Sequence, residues 1–368
     1  MEKNYISMVP GPTQIDERIL NAMTRQIMTH INEGWADFYI NTCNKMKRVL
    51  MTTGDCFLIN CSGTGGVECA LTSTVAPGEK ILVLSNGLFG DRIANIAKGY
   101  QLEAETIRFS NQEALSPGAL RSRLSQGLGN IAAVGAVFSE SQNGILNPIR
   151  EIAAICNEYD VPLIVDTISA TGGIEYRMDE WGVDFTVASM QKCLGGVVGV
   201  ACVAVNDKAW KYIENKKTLG FYYDLRTWRR FMHTPGVVHP HPWSMSETLI
   251  FGVDKACDLM LEEGLENRWK RHVDLYEYYV RELTRLGFEM FLPREIACPT
   301  VISIHAHPAI GANEMAERLK KDCNIMVGSG IDEQKGKIWR IGNMAEQARK
   351  EKADLLLTAV SSLLASLK

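Results

Sequence analysis

An acidic residue and a lysine stand at the ends of two apolar runs in the middle of the chain. The run over residues 161–165 ends in Asp166, and a β-prone run that begins at Val183 leads into Gln191 and Lys192. If both runs are buried parallel strands, their carboxyl ends lie at the same edge of one sheet, where ligand sites of α/β folds form. The sequence therefore predicts a carboxylate and an amine that face one pocket.

This pairing has a specific use in enzymes that carry pyridoxal phosphate (PLP). In such enzymes a lysine holds the cofactor as a Schiff base, and an aspartate keeps the pyridine nitrogen protonated, so that the ring can accept electrons from the substrate. The alternative interpretation is structural, because helix-capping aspartates and exposed lysines are both common at strand ends. The rest of the chain decides between the two.

A glycine-rich turn after another predicted strand could hold a phosphate. The predicted strand over residues 57–60 is followed by Ser62, Gly63 and Thr64 and then by two further glycines. Glycines let the backbone approach an anion, and a helix N-terminus offers unpaired N–H groups to which the hydroxyls add donors. The alternative is a glycine-rich helix start without a ligand, since the segment matches neither the Walker pattern nor Gly-x-Gly-x-x-Gly.

Two more segments follow predicted strands at the same edge of the sheet. Phe89 comes after the strand over 80–84 and has glycines close on either side, so its ring could stack on a planar ligand. Residues 139–144, which include Ser141, follow the strand over 132–138 and could reach a cofactor hydroxyl. A core phenylalanine and a plain turn are the corresponding alternatives.

Composition favours a globular protein that acts on small molecules. The chain of 368 residues fits roughly two domains, and its formal charge of −4 gives no indication of nucleic-acid binding. Ten cysteines are scattered without a Cys-x-x-Cys pair, and His239 and His241 lack an acidic neighbour, so neither disulfides nor a metal site are expected. Without a signal-peptide core or a membrane-length apolar run, a cytoplasmic location with no membrane contact is expected.

The order of the predicted elements indicates an α/β fold followed by a smaller domain. Strands alternate with helices as in a parallel sheet, and the apolar run over 199–205 is expected to return along it. Residues 211–243 lack periodicity and are expected to link domains or to pack on a partner. The expected parts are an N-terminal segment (1–15), a large domain that binds the cofactor (16–243) and a small C-terminal α+β domain (244–368).

The remaining predicted elements are defined by hydrophobic periodicity and by turn residues. Helices are predicted over 16–27, 43–51, 112–126, 148–159, from 244 or 246 to 285, over 313–321 and from 346 onward, and strands over 104–108, 288–292, 301–305 and 324–327.

Together these segments resemble the class V aminotransferases, a branch of the fold-type I PLP enzymes. That branch includes alanine- and serine-glyoxylate aminotransferases and 2-aminoethylphosphonate-pyruvate aminotransferase. The resemblance runs from Pro10-Gly11-Pro12 to Arg340-Ile341-Gly342-Asn343-Met344. It implies a large domain with a mostly parallel seven-stranded sheet flanked by helices, a smaller C-terminal α+β domain, and a homodimer with active sites at the subunit interface.

The resemblance also implies a role for each candidate residue. Lys192 would carry PLP and move a proton between the substrate Cα and C4′ of the cofactor, and Asp166 would bind the ring nitrogen. Phe89 would stack on the ring, and Ser141 would approach its hydroxyl. The other implied contacts are phosphate contacts from Ser62, Gly63, Thr64 and Gln191, a phosphate contact from Ser244 of the partner subunit, and substrate contacts from Gly11 and from Arg340, which would hold the carboxylate.

The implied reaction is a ping-pong transfer of an amino group from a small amino acid, such as alanine or serine, to glyoxylate or pyruvate. The main alternative is a 2-aminoethylphosphonate-pyruvate aminotransferase, because Ser85-Asn86-Gly87, Lys192-Cys193 and Arg340-Ile341-Gly342-Asn343 resemble that subgroup. A desulfurase would need a cysteine before the arginine, and residues 327–337 contain none. A non-catalytic protein of this fold would be expected to lose Lys192, Asp166 or Arg340.

Two segments depart from the usual sequence of the family. They are residues 30–35, expected near the substrate entrance, and residues 237–243, which replace a threonine-rich stretch. In the first segment, Glu33 or Trp35 could alter which substrate side chain fits.

Overall fold

A computed structural model describes residues 5–29, 33–217, 219–234 and 239–367. The strands are β1 (Ile6–Met8), β2 (Asp55–Ile59), β3 (Lys80–Ser85), β4 (Glu103–Arg108), β5 (Ile131–Val137), β6 (Ser139–Glu140), β7 (Ile145–Leu146), β8 (Leu163–Asp166), β9 (Phe185–Ser189), β10 (Ala201–Val205), β11 (Val301–His305), β12 (Ile325–Ser329) and β13 (Ile338–Gly342). The helices are α1 (Glu17–Ala22), α2 (Glu33–Leu50), α3 (Gly63–Thr74), α4 (Leu88–Gly99), α5 (Pro117–Leu124), α6 (Ile149–Glu158), α7 (Met178–Trp181), α8 (Leu225–His233), α9 (Glu247–Glu263), α10 (Leu265–Arg285), α11 (Ala312–Cys323) and α12 (Lys350–Ala365).

The large sheet has seven strands in the order β2-β10-β9-β8-β5-β3-β4. All neighbours are parallel except β10, which runs antiparallel to both β2 and β9. Strands β2, β8, β9 and β10 are buried along their whole length, as expected for a sheet covered by helices on both faces. The prediction of a mostly parallel seven-stranded sheet, with the run before Val205 returning along it, is confirmed.

The pairing of β8 with β9 brings the two candidate residues to one place. Asp166, the last residue of β8, lies opposite Val187 of β9, and Lys192 follows the end of β9 by three residues. Strands β2, β3 and β5 point in the same direction, so their carboxyl ends meet at this edge as well. The segments predicted to hold a ligand therefore share one edge of the sheet.

A smaller sheet has the order β1-β12-β13-β11 and contains residues from both ends of the chain. Ile6–Met8 pairs in parallel with β12, and Met8 belongs to the second hydrophobic core, whose other members lie mainly between Leu275 and Leu363. The strand of the N-terminal segment completes the smaller sheet. The domain boundary at residue 243 stays a prediction, and α9 beyond it packs into the first core.

Helix boundaries differ from the predictions where packing or a single residue decides them. Helix α2 begins at Glu33 and not at 43, because the aromatic rings of its first turns pack edge-on against Phe251 of α9. Helix α5 begins only at Pro117, which follows the capping residue Ser116. The predicted long helix over 244–285 is divided into α9 and α10 at Gly264, whose φ is +80°.

Other predicted elements are shorter or were missed. Helix α1 ends at Ala22, and the closing helix begins at Lys350. Residues 288–292 do not form a strand, because they meet β11 at a single bridge between Met290 and Ile304. The segment over 211–243, predicted without regular structure, contains α8. No helix in the described part of the chain is long and apolar enough to cross a membrane.

The segments that depart from the usual family sequence meet each other in the core. The Trp35 Nε1–H group donates to His241 Nε2 at 2.7 Å, and both residues are fully buried. Trp35 is therefore a core residue, and its effect on which substrate side chain fits stays a prediction. Residues 30–32, 237 and 238, and the side chain of Glu33, lie outside the described part of the structure.

Close packing of α3 on the sheet generates a stability prediction. A Cβ atom at Gly66 would lie 2.7 Å from Val187 Cγ1 and 3.0 Å from Ala201 Cβ, whereas one at Gly118 on α5 would meet only Ser116 Oγ at 3.6 Å. We expect Gly66→Ala to lower the free energy of unfolding by about 2 kcal/mol through overpacking. The control Gly118→Ala should leave it unchanged or raise it by about 1 kcal/mol. Urea unfolding measures both, and equal midpoints would contradict the packing argument.

Candidate active site

A cavity of about 220 Å³ lies at the carboxyl edge of the large sheet. It is formed where the strands end and where α3 and α4 begin. Its lining residues are Pro12, Ser62, Gly63, Thr64, Val67, Phe89, Arg92, Ile93, Val137, Ser139, Asp166, Ile168, Ser169, Gln191 and Lys192. Seven of the eleven predicted site residues are thus brought to one cavity by different strands.

Lys192 is largely buried, and its amine donates to the carbonyl oxygen of Pro10. Burial lowers the pKa of this amine to about 8, and the positive charges of Arg340 and Arg92 act in the same direction. A fraction of the amine is therefore neutral near pH 7, which a nucleophile or a base requires.

Gly11 lies beside the Lys192 side chain. Its φ is +78°, and a Cβ atom there would lie 2.8 Å from Lys192 Nζ and 2.9 Å from Cε. Only glycine combines this backbone conformation with this close approach. Thr13, two residues later, donates its backbone N–H to the carbonyl oxygen of Gln191 at 2.9 Å, so the N-terminal segment is fastened to the loop that carries Lys192.

Asp166 is buried at the end of β8, 7 % exposed. Its Oδ1 accepts the backbone N–H of Ile168 at 2.9 Å. Burial raises the pKa of the carboxyl to about 6, while that hydrogen bond and the charges of Arg92 and Lys192 lower it. The carboxyl group is consequently poised to pair with a cationic group of a ligand.

The N-terminus of α3 forms one wall of the cavity. The Ser62 side chain caps the helix by accepting the backbone N–H of Gly65 at 3.5 Å. A Cβ atom at Gly63 would meet the terminal methyl of Ile168, so the glycine lets the helix begin close to β8 without displacing that side chain. Backbone N–H groups, two hydroxyl groups and the positive end of the helix together suit an anion such as phosphate.

Phe89 lies in the first turn of α4, a helix that the sequence analysis missed. The guanidinium carbon of Arg92 lies 4.6 Å from the centre of the Phe89 ring, and Arg92 Nη1 donates to Thr64 Oγ1 at 3.4 Å. Arg92 was not predicted as a site residue. The signal was present, because residues three apart on a helix share one face and Arg92 follows Phe89 at that spacing.

Arg340 lies on β13 of the smaller sheet and reaches the large domain. Its Nη1 donates to the carbonyl oxygen of Ser141 at 2.6 Å, and its Nε and Nη2 donate to that of Ser329 at 3.0 and 2.8 Å. Burial lowers the pKa of the guanidinium to about 10. The bonds use three of five N–H groups, and no described residue engages the second hydrogen on Nη1 or Nη2.

Comparison with known proteins shows what this arrangement belongs to. A sequence model of the family described as "Aminotransferase class-V" matches residues 10–350. The chain belongs to the class V aminotransferase family.

Relatives and solved structures agree with this family. An uncharacterized aminotransferase of Methanocaldococcus jannaschii is 34% identical over 345 residues, which cover 94% of this chain and 89% of the relative. The serine-glyoxylate aminotransferase of Arabidopsis thaliana is 30% identical over 351 residues, which cover 91% of this chain and 84% of the relative. The crystal structure of an alanine-glyoxylate aminotransferase from Nostoc sp. superimposes with a TM-score of 0.92 at 27% identity, over 98% of this chain and 95% of that one. This class V aminotransferase therefore has the predicted fold-type I architecture.

The loop after Lys192 is also held by a buried arginine that the sequence analysis did not single out. Arg268 of α10 donates through Nη2 to the carbonyl oxygen of Cys193 at 2.8 Å and through Nε to that of Gly172 at 2.9 Å. Its Nη1 pairs with Glu263 at 2.7 Å. The site of this aminotransferase is thus supported from the helix that leads into the smaller domain.

Four predicted residues do not line the cavity. Gly11 contacts the Lys192 side chain, and the charge of Arg340 lowers the pKa of Lys192. Ser141 is buried in the turn between β6 and β7, with its carbonyl oxygen on Arg340. Ser244 is exposed before α9 and takes no part in the cavity of its own chain.

The lowered pKa of Lys192 can be measured by competitive labelling. We expect acetic anhydride to acetylate Lys192 of the cofactor-free protein with a half-maximal rate near pH 8, because burial disfavours the charged amine. Peptide mass spectrometry reads each lysine separately, and Lys270, which is largely exposed on α10, serves as the reference. A half-maximal rate for Lys192 near pH 10, about that of an ordinary lysine, would contradict the burial argument.

Asp166 should lower the free energy of unfolding of the cofactor-free protein while its carboxyl is ionised. Its pKa is raised to about 6 in the folded protein and returns to the ordinary 3.8 on unfolding. Because the folded protein binds this proton more tightly than the unfolded chain, protonated Asp166 stabilises the folded state below pH 4, and this stabilisation is lost as the pH rises through 6. We expect the free energy of unfolding of cofactor-free Asp166→Asn to exceed that of wild type by up to about 3 kcal/mol at pH 8. The difference should vanish below pH 4.

Chemical denaturation at several pH values measures this difference. Asparagine keeps the Oδ1 acceptor for the Ile168 N–H, so the comparison isolates the charge. A variant that is less stable than wild type at pH 8 would show that the carboxylate is well paired in the cofactor-free protein.

Proposed function

We propose that this protein is a PLP-dependent aminotransferase that moves an amino group from a small amino acid, of the alanine or serine type, to glyoxylate or pyruvate. The family membership supports the reaction type. The observation that carries the proposal is the convergence of an amine of lowered pKa, a buried carboxyl and a helix N-terminus in one cavity. The named relatives that use alanine or serine with glyoxylate support the substrate class.

The residues of the cavity fit PLP by their chemistry. Ser62, Gly63 and Thr64 at the start of α3 would hold the phosphate, with Gln191 beside them. Phe89 would pack on the ring, and Asp166 would hold a proton on the ring nitrogen. Ser141, which does not line the cavity, would approach the ring hydroxyl from the turn between β6 and β7.

When bound, PLP supplies an electron sink that delocalises the electron pair left by removal of a substrate proton. Lys192 would attach the cofactor, then act as the base at the substrate Cα, since burial keeps much of its amine neutral near pH 8. Gly11 leaves the room in which this side chain moves. The proton removed from Cα would return from the same Nζ atom to C4′.

Arg340 would hold the substrate carboxylate. Its bonds to the carbonyl oxygens of Ser141 and Ser329 fix the guanidinium plane and leave one N–H on each terminal nitrogen. A guanidinium with unused N–H groups can pair with the two oxygens of a carboxylate. A homodimer in the cytoplasm, with Ser244 of the partner subunit near the phosphate, is part of the proposal.

The decisive experiment is the visible spectrum of PLP-loaded protein while alanine, serine, glycine, aspartate, 2-aminoethylphosphonate and taurine are added in turn. We expect the yellow band to bleach with alanine or serine, and added glyoxylate or pyruvate to restore it. Lys192→Ala should lose the band and slow transfer by about a thousandfold or more, since it removes the base and the attachment.

Three outcomes would change the assignment. Protein that stays colourless with PLP would defeat the cofactor. Bleaching by 2-aminoethylphosphonate alone would select the phosphonate subgroup. Transfer at an unchanged rate in Lys192→Ala would remove that residue from the mechanism.

A further inference from the structure

A fully buried glutamate lies behind the cavity and does not line it. Glu140 is 0 % exposed and stands in the hairpin formed by β6 and β7. The sequence analysis included it only in the segment 139–144 that could reach a cofactor hydroxyl and gave it no role of its own. Its carboxylate accepts the backbone N–H groups of Phe89 at 2.9 Å, Gly90 at 3.2 Å and Gln142 at 3.1 Å.

Two of these bonds cap the helix that carries the ring. Helix α4 has no side-chain cap of its own at Gly87, and its first N–H groups need acceptors. Glu140 serves Phe89 and Gly90, and the Gln142 side chain accepts the N–H of Leu88 at 2.6 Å. The hairpin therefore determines where α4 begins and where Phe89 lies.

The fit between Glu140 and α4 leaves no space for a side chain at Gly87. A Cβ atom there would lie 2.6 Å from Glu140 Cγ and 2.7 Å from Cδ. The backbone at Gly87 is extended (φ 174°), so contact with Glu140, and not an unusual φ, requires the glycine.

The other side of the hairpin contacts the substrate arginine. Ser141, the next residue, accepts the Arg340 Nη1–H through its carbonyl oxygen at 2.6 Å. The negative charge of Glu140 also favours the charged form of Arg340. One buried residue is thus linked to the ring-stacking helix on one side and to the guanidinium on the other.

A glutamine could not replace these interactions. Both carboxylate oxygens of Glu140 accept hydrogen bonds, whereas a glutamine has a single acceptor and would turn its NH₂ group toward a backbone N–H. A buried carboxylate is also costly to desolvate, and burial raises the pKa of the Glu140 carboxyl to about 7. The three backbone N–H bonds act against burial and favour the charged form.

We propose that Glu140 is a positioning residue that sets Phe89 and Arg340 relative to one another. The inference rests on the proposed function, in which these two residues contact the cofactor and the substrate carboxylate. Glu140 itself touches neither.

The test compares Glu140→Gln with wild type in two binding titrations. The first measures PLP binding from the visible absorbance, and the second measures binding of propionate, which has the carboxylate of alanine but no amino group, to the PLP-loaded protein. We expect Glu140→Gln to weaken propionate binding about tenfold, which is the size of effect that the loss of a charged interaction produces. PLP binding should also become weaker.

A double-variant cycle separates positioning from general damage. In the Arg340→Gln background, Glu140→Gln should change propionate binding by less than about twofold, because the route through Arg340 is already lost. The matched control is Asp184→Asn, another buried carboxylate that accepts a backbone N–H, from Leu163 at 3.0 Å, at the opposite edge of the sheet. It should leave both binding constants unchanged.

Each outcome bears on the inference. The inference is overturned if Glu140→Gln has wild-type binding constants, or if the two substitutions weaken propionate binding independently, so that their fold-changes multiply in the double variant.

If Glu140→Gln does not fold, Gly87→Ala presses a methyl group on Glu140 and keeps the charge. It should weaken the binding of both PLP and propionate, and unchanged binding constants would overturn the inference. Wild-type protein that binds no PLP would overturn the proposed function and this inference with it, whereas active wild type with an unaffected Glu140→Gln defeats the inference alone.

Discussion

The parallel arrangement of five strands is the constraint on which the site depends. Strands β2, β3, β5, β8 and β9 end at one edge, so the residues that follow them converge without any long loop. Asp166 and Lys192 face the same cavity because β8 and β9 are neighbours in register. The antiparallel β10 lies between β9 and β2 and leaves this edge intact.

Burial gives the site its electrostatic character. The same desolvation lowers the pKa of Lys192 and raises that of Asp166, so each group is moved toward its neutral form. Such an arrangement destabilises the folded protein while it has no ligand, and a cofactor that pairs with both groups would recover that free energy. Stability and the proposed chemistry are therefore opposed at these two positions.

The smaller domain takes part in the site through a few specific contacts. Arg340 crosses from β13 to Ser141, and Gln142 Nε2 donates to Asp332 at 3.2 Å. The N-terminal segment adds a further connection, since it pairs with β12, then passes Gly11 and bonds to the Lys192 loop. The contacts of Arg340 and Asp332 both end on the hairpin around Glu140, so a residue outside the cavity is linked to both domains.

The sequence by itself determined the strand–helix alternation, the Asp166–Lys192 pair and the glycine-rich start of α3, because buried strands and turns have local signatures in residue type and spacing. The family resemblance added the residue roles. Tertiary structure alone decided that Trp35 lies in the core with His241, that Ile6–Met8 joins the smaller sheet, and that Arg268 and Glu140 support the site. These features depend on contacts between residues far apart in the chain, and no local pattern of hydrophobicity, charge or glycine records such contacts.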